Sequence, residues 1–219
     1  MNHMGNRRNF IKKMSTLAIV GLAGKISANT VTKSVQSTKV NQPIVLSTWN
    51  FGIEANKEAW SILQNKGTAL DAVEQGVRLV EADPTERSVG YGGRPDRDGN
   101  VTLDACIMDH ESNIGSVAGL EYIKHPITVA RKVMEETPHV MLVGDGALQF
   151  ALEKGFKKEN LLTKESEEEY KEWLKNTNYQ MPINIENHDT IGMIALDQNG
   201  NLSLRFPILL TVYENGRFD

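Results

Sequence analysis

The pattern of apolar and polar positions predicts short strands and helices along most of the chain. Residues 43–49 form an apolar run that predicts a buried strand. Residues 56–66 and the segment that follows Thr68 have the three-to-four-residue spacing of amphipathic helices. Thr68 and Asp71 have the spacing of a capping box, so we expect the second helix to begin there. Residues 83–100, rich in glycine and proline, predict a long loop of the kind that often carries function.

The second half of the chain mixes the same two patterns. The predicted elements are strands at 101–107, 140–143 and 190–196, and helices at 127–136, at 164–175 and between Gly144 and Gly155. The charged helix at 164–175 is expected to be solvated. The sequence Asp197-Gln198-Asn199-Gly200 predicts a hairpin turn, because Asn-Gly is a strong hairpin signal. Strands mixed with helices, with a hairpin near the end, predict a layered α/β or α+β fold.

Composition and charge narrow the range of partners. The 219 residues include 24 basic and 28 acidic side chains, a net charge of −4. Residues 1–28 hold five of the basic residues and none of the acidic ones, so the remaining chain has 19 against 28, or −9. That balance argues against nucleic acid or an anionic membrane surface as a partner. Cys106 is the only cysteine, which excludes an internal disulfide.

The N-terminal residues have the order of an export signal. The pair Arg7-Arg8 precedes an apolar run at 14–24 that is too short to span a bilayer, and small residues lead to Ala28. The alternative is a basic tail with a weakly apolar helix. We expect residues 1–28 to be a twin-arginine-type signal peptide, and the protein to be periplasmic or secreted and not bound to a membrane after signal removal.

The dipeptide Asp189-Thr190 lies where a polar connector meets an apolar strand. A threonine hydroxyl is a weak nucleophile that an adjacent base activates, and a free α-amine on the same residue is one such base. The amine has a pKa of about 7.7–8.0, so part of it is neutral near neutral pH. Freeing the amine requires a backbone cut before Thr190, which the hydroxyl can make by attacking the Asp189 carbonyl. Most Asp-Thr pairs are strand entrances or caps, so the dipeptide alone leaves both interpretations open.

Several separated segments match one known family. They are PIVLSTWNFG at 43–52, ALDAVEQGVRLVE at 69–81, DPTERSVGYGGRPDRDG at 83–99, LDACIMD at 103–109, TPHVMLVGDGA at 137–147, FKKENLLT at 156–163 and NHDTIGMIALD at 187–197. In these segments the chain resembles the glycosylasparaginases, which are N-terminal-nucleophile hydrolases. The resemblance implies an α+β fold, the αββα sandwich, and hydrolysis of the amide bond between asparagine and N-acetylglucosamine. It implies no metal and no cofactor, because the base is the enzyme's own amine.

The resemblance also assigns the cleavage site. Thr190 matches the nucleophile and the new N-terminus of the family's β chain, and Asp189 matches the residue that ends the α chain. Residues 29–189 would then be the α chain, and 190–219 the start of the β chain. The family assembles as dimers of such αβ units, so a homo-oligomer is expected of the intact protein.

On the substrate side, the resemblance assigns three residues. Trp49 matches the aromatic near the glycosylated asparagine substrate, Phe51 lies beside it, and Ser88 matches a residue of the long loop that reaches the nucleophile. Two ordinary alternatives remain open. A tryptophan at a strand end is often core, and a serine in a loop often caps a turn.

The match to the family ends after Ser203. The family continues with a small-residue segment, an arginine and an aspartate that bind the amino-acid part of the substrate, and a Thr-Gly pair that forms the oxyanion hole. Arg217 and Asp219 are faint candidates for the first two, at a shorter spacing. The sandwich is therefore expected to be incomplete, with most of the β chain missing. Three functions stay open: the amidohydrolase, an isoaspartyl peptidase or L-asparaginase with the same nucleophile, and an inactive truncated remnant.

Overall fold

The computed structural model describes residues 43–175 and 190–205, which belong to one compact unit. The helices are α1 (Gly52–Gln64), α2 (Ala69–Glu81), α3 (Pro126–Glu136), α4 (Gly144–Glu153) and α5 (Lys164–Lys175). The strands are β1 (Ile44–Ser47), β2 (Thr102–Met108), β3 (Ile114–Glu121), β4 (Met141–Val143), β5 (Met193–Leu196) and β6 (Leu202–Arg205). One sheet combined with helices confirms the predicted mixture of α and β structure. Among the described helices, none is long and apolar enough to cross a membrane.

The six strands form one sheet in the order β1-β5-β6-β2-β3-β4. All neighbouring pairs are antiparallel except β3 and β4, which are parallel. The register of β1 on β5 runs from Ile44 opposite Leu196 to Ser47 opposite Met193. The strand that follows Thr190 therefore lies between the first strand of the described chain and the last.

The core lies between one face of the sheet and the helices. Ile107, Val117 and Met193 point from β2, β3 and β5 into a cluster that includes Val73 and Val77 of α2. Side chains alternate between the two faces of a strand, so the intervening residues point the other way. Exposed apolar side chains occupy that second face of the sheet: Ile44, Leu46, Ile114, Met141, Val143, Ile194 and Leu202.

Two strand predictions were wrong about burial. β1 and β4, predicted as buried strands at 43–49 and 140–143, are the two edges of the sheet, and Leu46 is 61% and Val143 59% exposed. An apolar run shows that a strand is favoured but not whether both of its faces are covered. The strand β3 was not predicted, because its glycine, serine and alanine residues break the alternation of apolar and polar positions.

Three turns share one five-residue pattern, Asp-x-x-Gly-Asn or Asp-x-x-Ser-Asn, at 96–100, 109–113 and 197–201. In each, one carboxylate oxygen of the aspartate accepts from the amides of the third and fifth residues at 2.9–3.0 Å. The amide of the aspartate donates to the carbonyl of the final asparagine at 2.7–3.1 Å. The last of these turns joins β5 to β6, which confirms the predicted hairpin.

The fourth residue of each turn has a left-handed backbone. The φ angles are 90° at Gly99, 83° at Gly200 and 70° at Ser112. Glycine adopts this conformation at no steric cost, whereas a residue with a Cβ pays roughly 1–2 kcal/mol. Ser112 is therefore the strained member of the set.

We expect Ser112→Gly to raise the free energy of unfolding by about 0.5–1 kcal/mol, because relief of backbone strain exceeds the extra unfolded-state entropy of glycine. Urea denaturation monitored by tryptophan fluorescence measures the change. Gly200→Ser is the reverse substitution in the matching turn and should lower stability by a similar amount. A loss of stability in Ser112→Gly would contradict the assignment of strain.

Candidate functional site

The loop after β1 lies against the segment that leads into β5. The indole Nε1 of Trp49 donates to the carbonyl oxygen of Thr190 at 3.0 Å. The Thr48 amide donates to the Gly192 carbonyl at 3.0 Å, and the Thr48 hydroxyl accepts from the Gly192 amide at 2.8 Å. These bonds extend the β1–β5 pairing past the strand ends. They bring the predicted aromatic residue to the predicted nucleophile.

Trp49 is held in an unusual backbone conformation. Its φ angle is 65°, in the left-handed region that bulky residues rarely adopt. The Trp49 carbonyl accepts from the Gly52 amide at 3.1 Å, and the Ser47 hydroxyl donates to the Gly52 carbonyl at 2.9 Å. A Cβ at position 52 would overlap the Ser47 hydroxyl, so a larger residue there would require the Ser47 side chain to move. Such strain persists where the surroundings enforce it, and it is concentrated at functional sites.

The exposure of Trp49 argues against one of the two interpretations that the sequence left open, and its place near the substrate stays a prediction. Trp49 is 43% exposed, which contradicts the alternative that it is a core residue. Phe51, by contrast, is half-buried and packs against the main core cluster, one residue before α1. The indole is the more accessible of the two aromatic groups. Nothing in the geometry assigns Phe51 a contact with Thr190.

Ser88 lies in a tight turn of the long loop. Its hydroxyl donates to Glu86 Oε1 at 2.7 Å, and its amide donates to the same oxygen at 3.2 Å. Within the described residues no hydrogen bond joins Ser88 to Thr190, so its role at the site stays a prediction. The other predicted site residues, Asp189, Arg217 and Asp219, lie outside the described residues, as does the predicted signal at 1–28.

Helix α5 is hydrogen-bonded to the long loop at 83–100. Arg87 Nη1 donates to the Ser166 hydroxyl at 2.8 Å, and that hydroxyl donates to the Gly92 carbonyl. The Tyr170 hydroxyl donates to the Arg97 carbonyl at 2.9 Å. The bounds of this helix match the prediction, and most of its residues are exposed, as expected; Ser166, which is 0% exposed, is the buried exception that contacts the loop. A small polar residue within a charged run gave no sign of this contact.

Arg205, which the sequence analysis did not single out, is buried next to the nucleophile segment. Its Nη1 donates to the carbonyl of Ile191, the residue after Thr190, and its Nη2 donates to the Asp104 carbonyl at 3.4 Å. Burial lowers the pKa of Arg205, although the charges of Glu81, Cys106 and Asp104 act the other way. A buried guanidinium is costly unless its charge is balanced.

Asp104, whose backbone carbonyl accepts from this guanidinium, lies on β2. Its Oδ1 accepts from the Gly119 amide at 2.7 Å, at an irregularity in the β2–β3 register where the φ angle of Gly119 is 58°. Burial raises the pKa of Asp104 to about 6, although the Gly119 bond and the charge of Arg205 act in the opposite direction. The carboxyl group therefore titrates closer to neutrality than an ordinary aspartate.

We expect Asp104→Asn to change how stability depends on pH. The pKa of Asp104 is raised in the folded state from 3.8 to about 6, so its stabilising contribution is complete below about pH 3.8 and lost as the pH rises through about 6. Asparagine can still accept from Gly119 and does not titrate. Denaturation at a series of pH values should show a variant that is more stable than the parent at pH 7.5, by at most about 3 kcal/mol.

Asp98→Asn is the control for that experiment, because Asp98 is exposed and lies outside the sheet. A change in pH dependence that appears in Asp104→Asn and not in Asp98→Asn is then assigned to Asp104 rather than to loss of a carboxylate in general. Parallel curves for the parent and Asp104→Asn would show that Asp104 does not titrate in this range.

Comparison with known proteins places the chain in a family. A family model described as asparaginase matches residues 13–204, so the chain belongs to that asparaginase family. Over 198 residues the chain is 67% identical to N(4)-(Beta-N-acetylglucosaminyl)-L-asparaginase of Elizabethkingia miricola, a match that covers 90% of this chain and 58% of the relative.

Mammalian relatives that carry the same name match at lower identity. The protein of Mus musculus is 38% identical over 191 residues, and that of Rattus norvegicus is 37% identical over 190 residues. Each match covers 73% of this chain and 55% of the relative. The chain thus spans a little more than half the length of the curated relatives it matches.

Proposed function

We propose that the chain provides the nucleophile-bearing part of an amidohydrolase that cleaves the N-acetylglucosamine–asparagine bond, with Thr190 as the nucleophile. The observation that carries the proposal is the junction between Trp49 and Thr190. Two segments that both resemble the glycosylasparaginases are far apart in the chain and hydrogen-bonded in the fold. The names of the relatives supply the substrate class.

The first step of the proposed chemistry is self-cleavage before Thr190. The Thr190 hydroxyl attacks the Asp189 carbonyl carbon, the C–N bond breaks, and the acyl group moves to the hydroxyl oxygen as an ester. Water then hydrolyses the ester, which leaves a carboxylate on Asp189 and a free amine on Thr190. In this proposal the Trp49 indole is hydrogen-bonded to the Thr190 carbonyl. It therefore holds the peptide group between Thr190 and Ile191 in place.

The second step is turnover of the substrate. The freed amine takes the proton from the Thr190 hydroxyl, and the hydroxyl oxygen attacks the side-chain amide of the substrate asparagine. The glycosylamine leaves with a proton, a β-aspartyl ester remains on Thr190, and water releases aspartate. A related isoaspartyl peptidase or L-asparaginase would use the same steps with another leaving group. The identity to proteins named for the glycosylated linkage favours the first substrate.

The open face of the sheet supports the αββα sandwich as the complete fold. Seven large apolar side chains are exposed on the face opposite the helices. Exposed apolar patches of this kind mark surfaces that another layer covers, and stacked sheets pack about 10 Å apart. We propose that a second sheet covers this face in the complete enzyme, which would then assemble as a dimer of αβ units.

The proposal extends to the location of the protein. The order of paired arginines, an apolar run and small residues within 1–28 supports export through the twin-arginine route. Export by that route implies a chain that folds before translocation. A mature N-terminus close to residue 29 in protein recovered from the periplasm would support this part of the proposal, and an intact residue 1 there would overturn it.

We expect Thr190→Ala to abolish both self-cleavage and release of aspartate from glycosylasparagine. Alanine has no hydroxyl, so neither acyl transfer can start. A denaturing gel with mass analysis shows whether residue 190 becomes an N-terminus, and an aspartate assay shows turnover. Thr190→Ser keeps the hydroxyl and should retain cleavage. A parent chain that stays uncut would instead support the inactive remnant, and turnover by an uncut chain would overturn the mechanism.

We expect Trp49→Phe to slow self-cleavage about 5- to 10-fold. Phenylalanine keeps the aromatic ring but cannot donate to the Thr190 carbonyl, and a hydrogen bond contributes about 1 kcal/mol. The rate at which the new N-terminus appears measures the effect. Trp60→Phe is the matched control, because Trp60 is exposed on α1. Equal rates in the two variants would show that the indole bond does not position the nucleophile.

A further inference from the structure

Glu81 places an acidic side chain inside the core. It is the last residue of α2 and is 0% exposed. Its position follows Val73 and Val77 at four-residue intervals, so it lies on the buried face of the helix. An acidic residue in the apolar stripe of a helix is expensive to bury, because a charged group loses its hydration there. The contacts of this carboxylate therefore call for an explanation.

The carboxylate reaches the start of α3. Glu81 Oε1 accepts from the Ile127 amide at 3.1 Å. Glu81 Oε2 lies 3.4 Å from His125 Nδ1, within ion-pair distance but not aligned for a hydrogen bond, and neither atom has a hydrogen-bond partner among the described residues. His125 is the N-cap residue of α3 and makes no side-chain capping bond. The carboxylate thus occupies the place of a cap for this helix.

The backbone of Glu81 contacts the long loop. Its carbonyl accepts from the Tyr91 amide at 2.8 Å. Gly90, with a φ angle of 63°, packs so closely on Glu81 that a Cβ at Gly90 would overlap the Glu81 backbone. Ser88 lies two residues before this contact. The position of Glu81 therefore sets the position of the part of the loop that bears Ser88.

The charge of Glu81 also acts on the buried Arg205, where it opposes the lowering of the guanidinium pKa by burial. The Arg205 guanidinium donates to the Ile191 carbonyl, one residue beyond Thr190. Burial raises the pKa of Glu81, while its contact with His125 and the charge of Arg205 act the other way.

We propose that Glu81 is a positioning residue that fixes the Ser88-bearing part of the loop. Its carbonyl binds the loop at Tyr91, and its carboxylate binds the start of α3. The inference rests on the proposed function, because the roles of Thr190 and Ser88 at the site are part of that proposal. Its structural part stands on the contacts of Glu81 alone.

The test compares two glutamate-to-glutamine substitutions on the same helix. Glu81→Gln keeps the size of the side chain and the acceptor for Ile127 but removes the charge. Glu74→Gln is the matched control, since Glu74 is also buried on α2 but forms its ion pair with Arg131 at 2.8 Å. Hydrogen exchange of the Tyr91 amide, which donates to the Glu81 carbonyl, is expressed relative to the slowest core amides and so separates a local effect from a general loss of stability.

We expect Glu81→Gln to raise relative exchange at Tyr91 at least 10-fold over Glu74→Gln. We also expect it to slow the appearance of the Thr190 N-terminus relative to that control. Equal exchange in the two variants would overturn the inference. Raised exchange with an unchanged cleavage rate would overturn the positioning role. If the parent chain is never cleaved, the proposed function fails, and exchange alone still decides whether Glu81 holds the loop.

Substitutions at His125 keep the test decisive if Glu81→Gln does not fold. His125→Gln provides an amide that can donate to Glu81 Oε2, whereas His125→Leu has a similar size and no donor. We expect His125→Gln to retain the hydrogen-exchange protection of the Tyr91 amide. We expect His125→Leu to lower that protection at least several-fold. Equal protection in the two would show that the carboxylate needs no partner on α3, and the inference would be wrong.

Discussion

The hydrogen bond from the Trp49 indole to the Thr190 carbonyl joins residues that are 141 positions apart, and the candidate site exists only because this junction forms. The bond depends on two other features. Pairing of β1 with β5 brings the segments side by side, and the left-handed turn at Trp49 directs the indole across the gap. A bulky residue in that conformation costs free energy locally. The Thr48–Gly192 hydrogen bonds and the close packing at Gly52 offset this cost.

Charge within the core is the second constraint on this site. Arg205, Asp104 and Glu81 are buried or largely buried near the sheet, and the charge of Arg205 favours the ionised form of both carboxyl groups. An apolar replacement would pack more cheaply at any one of these positions. Together, however, they connect the end of α2, the middle of β2 and the strand after Thr190. These buried charged groups are costly to the core, and they also fix the relative positions of the elements that bear them.

The sequence predicted the elements whose signals are local. The start of α2 at Thr68 follows from its capping pattern, and the Thr68 hydroxyl accepts from the Asp71 amide at 3.1 Å as expected. The hairpin at 197–201 follows from turn chemistry in the same way. The proximity of Trp49 to Thr190 came from resemblance to a family, because no rule of periodicity relates two segments so far apart.

Other features could not be predicted because they depend on the whole sheet. Whether β1 and β4 are edges is decided by strand order, which an apolar run does not encode. The burial of Arg205 depends on which face of β6 meets α2. Glu81 did leave a signal, since an acidic residue four positions after Val77 falls in the apolar stripe of its helix. Recognising that signal requires asking what an internal carboxylate binds.

The strand order has a consequence for what a backbone cut before Thr190 would do. The piece that begins at Thr190 contributes β5 and β6, and these two strands lie between β1 and β2 of the other piece. This piece would be paired along both sides, with four residue pairs in the register with β1 and two in the register with β2. Breaking the covalent link would create new chain ends without creating a new surface. The two products would stay interleaved as one folded body until the sheet itself came apart.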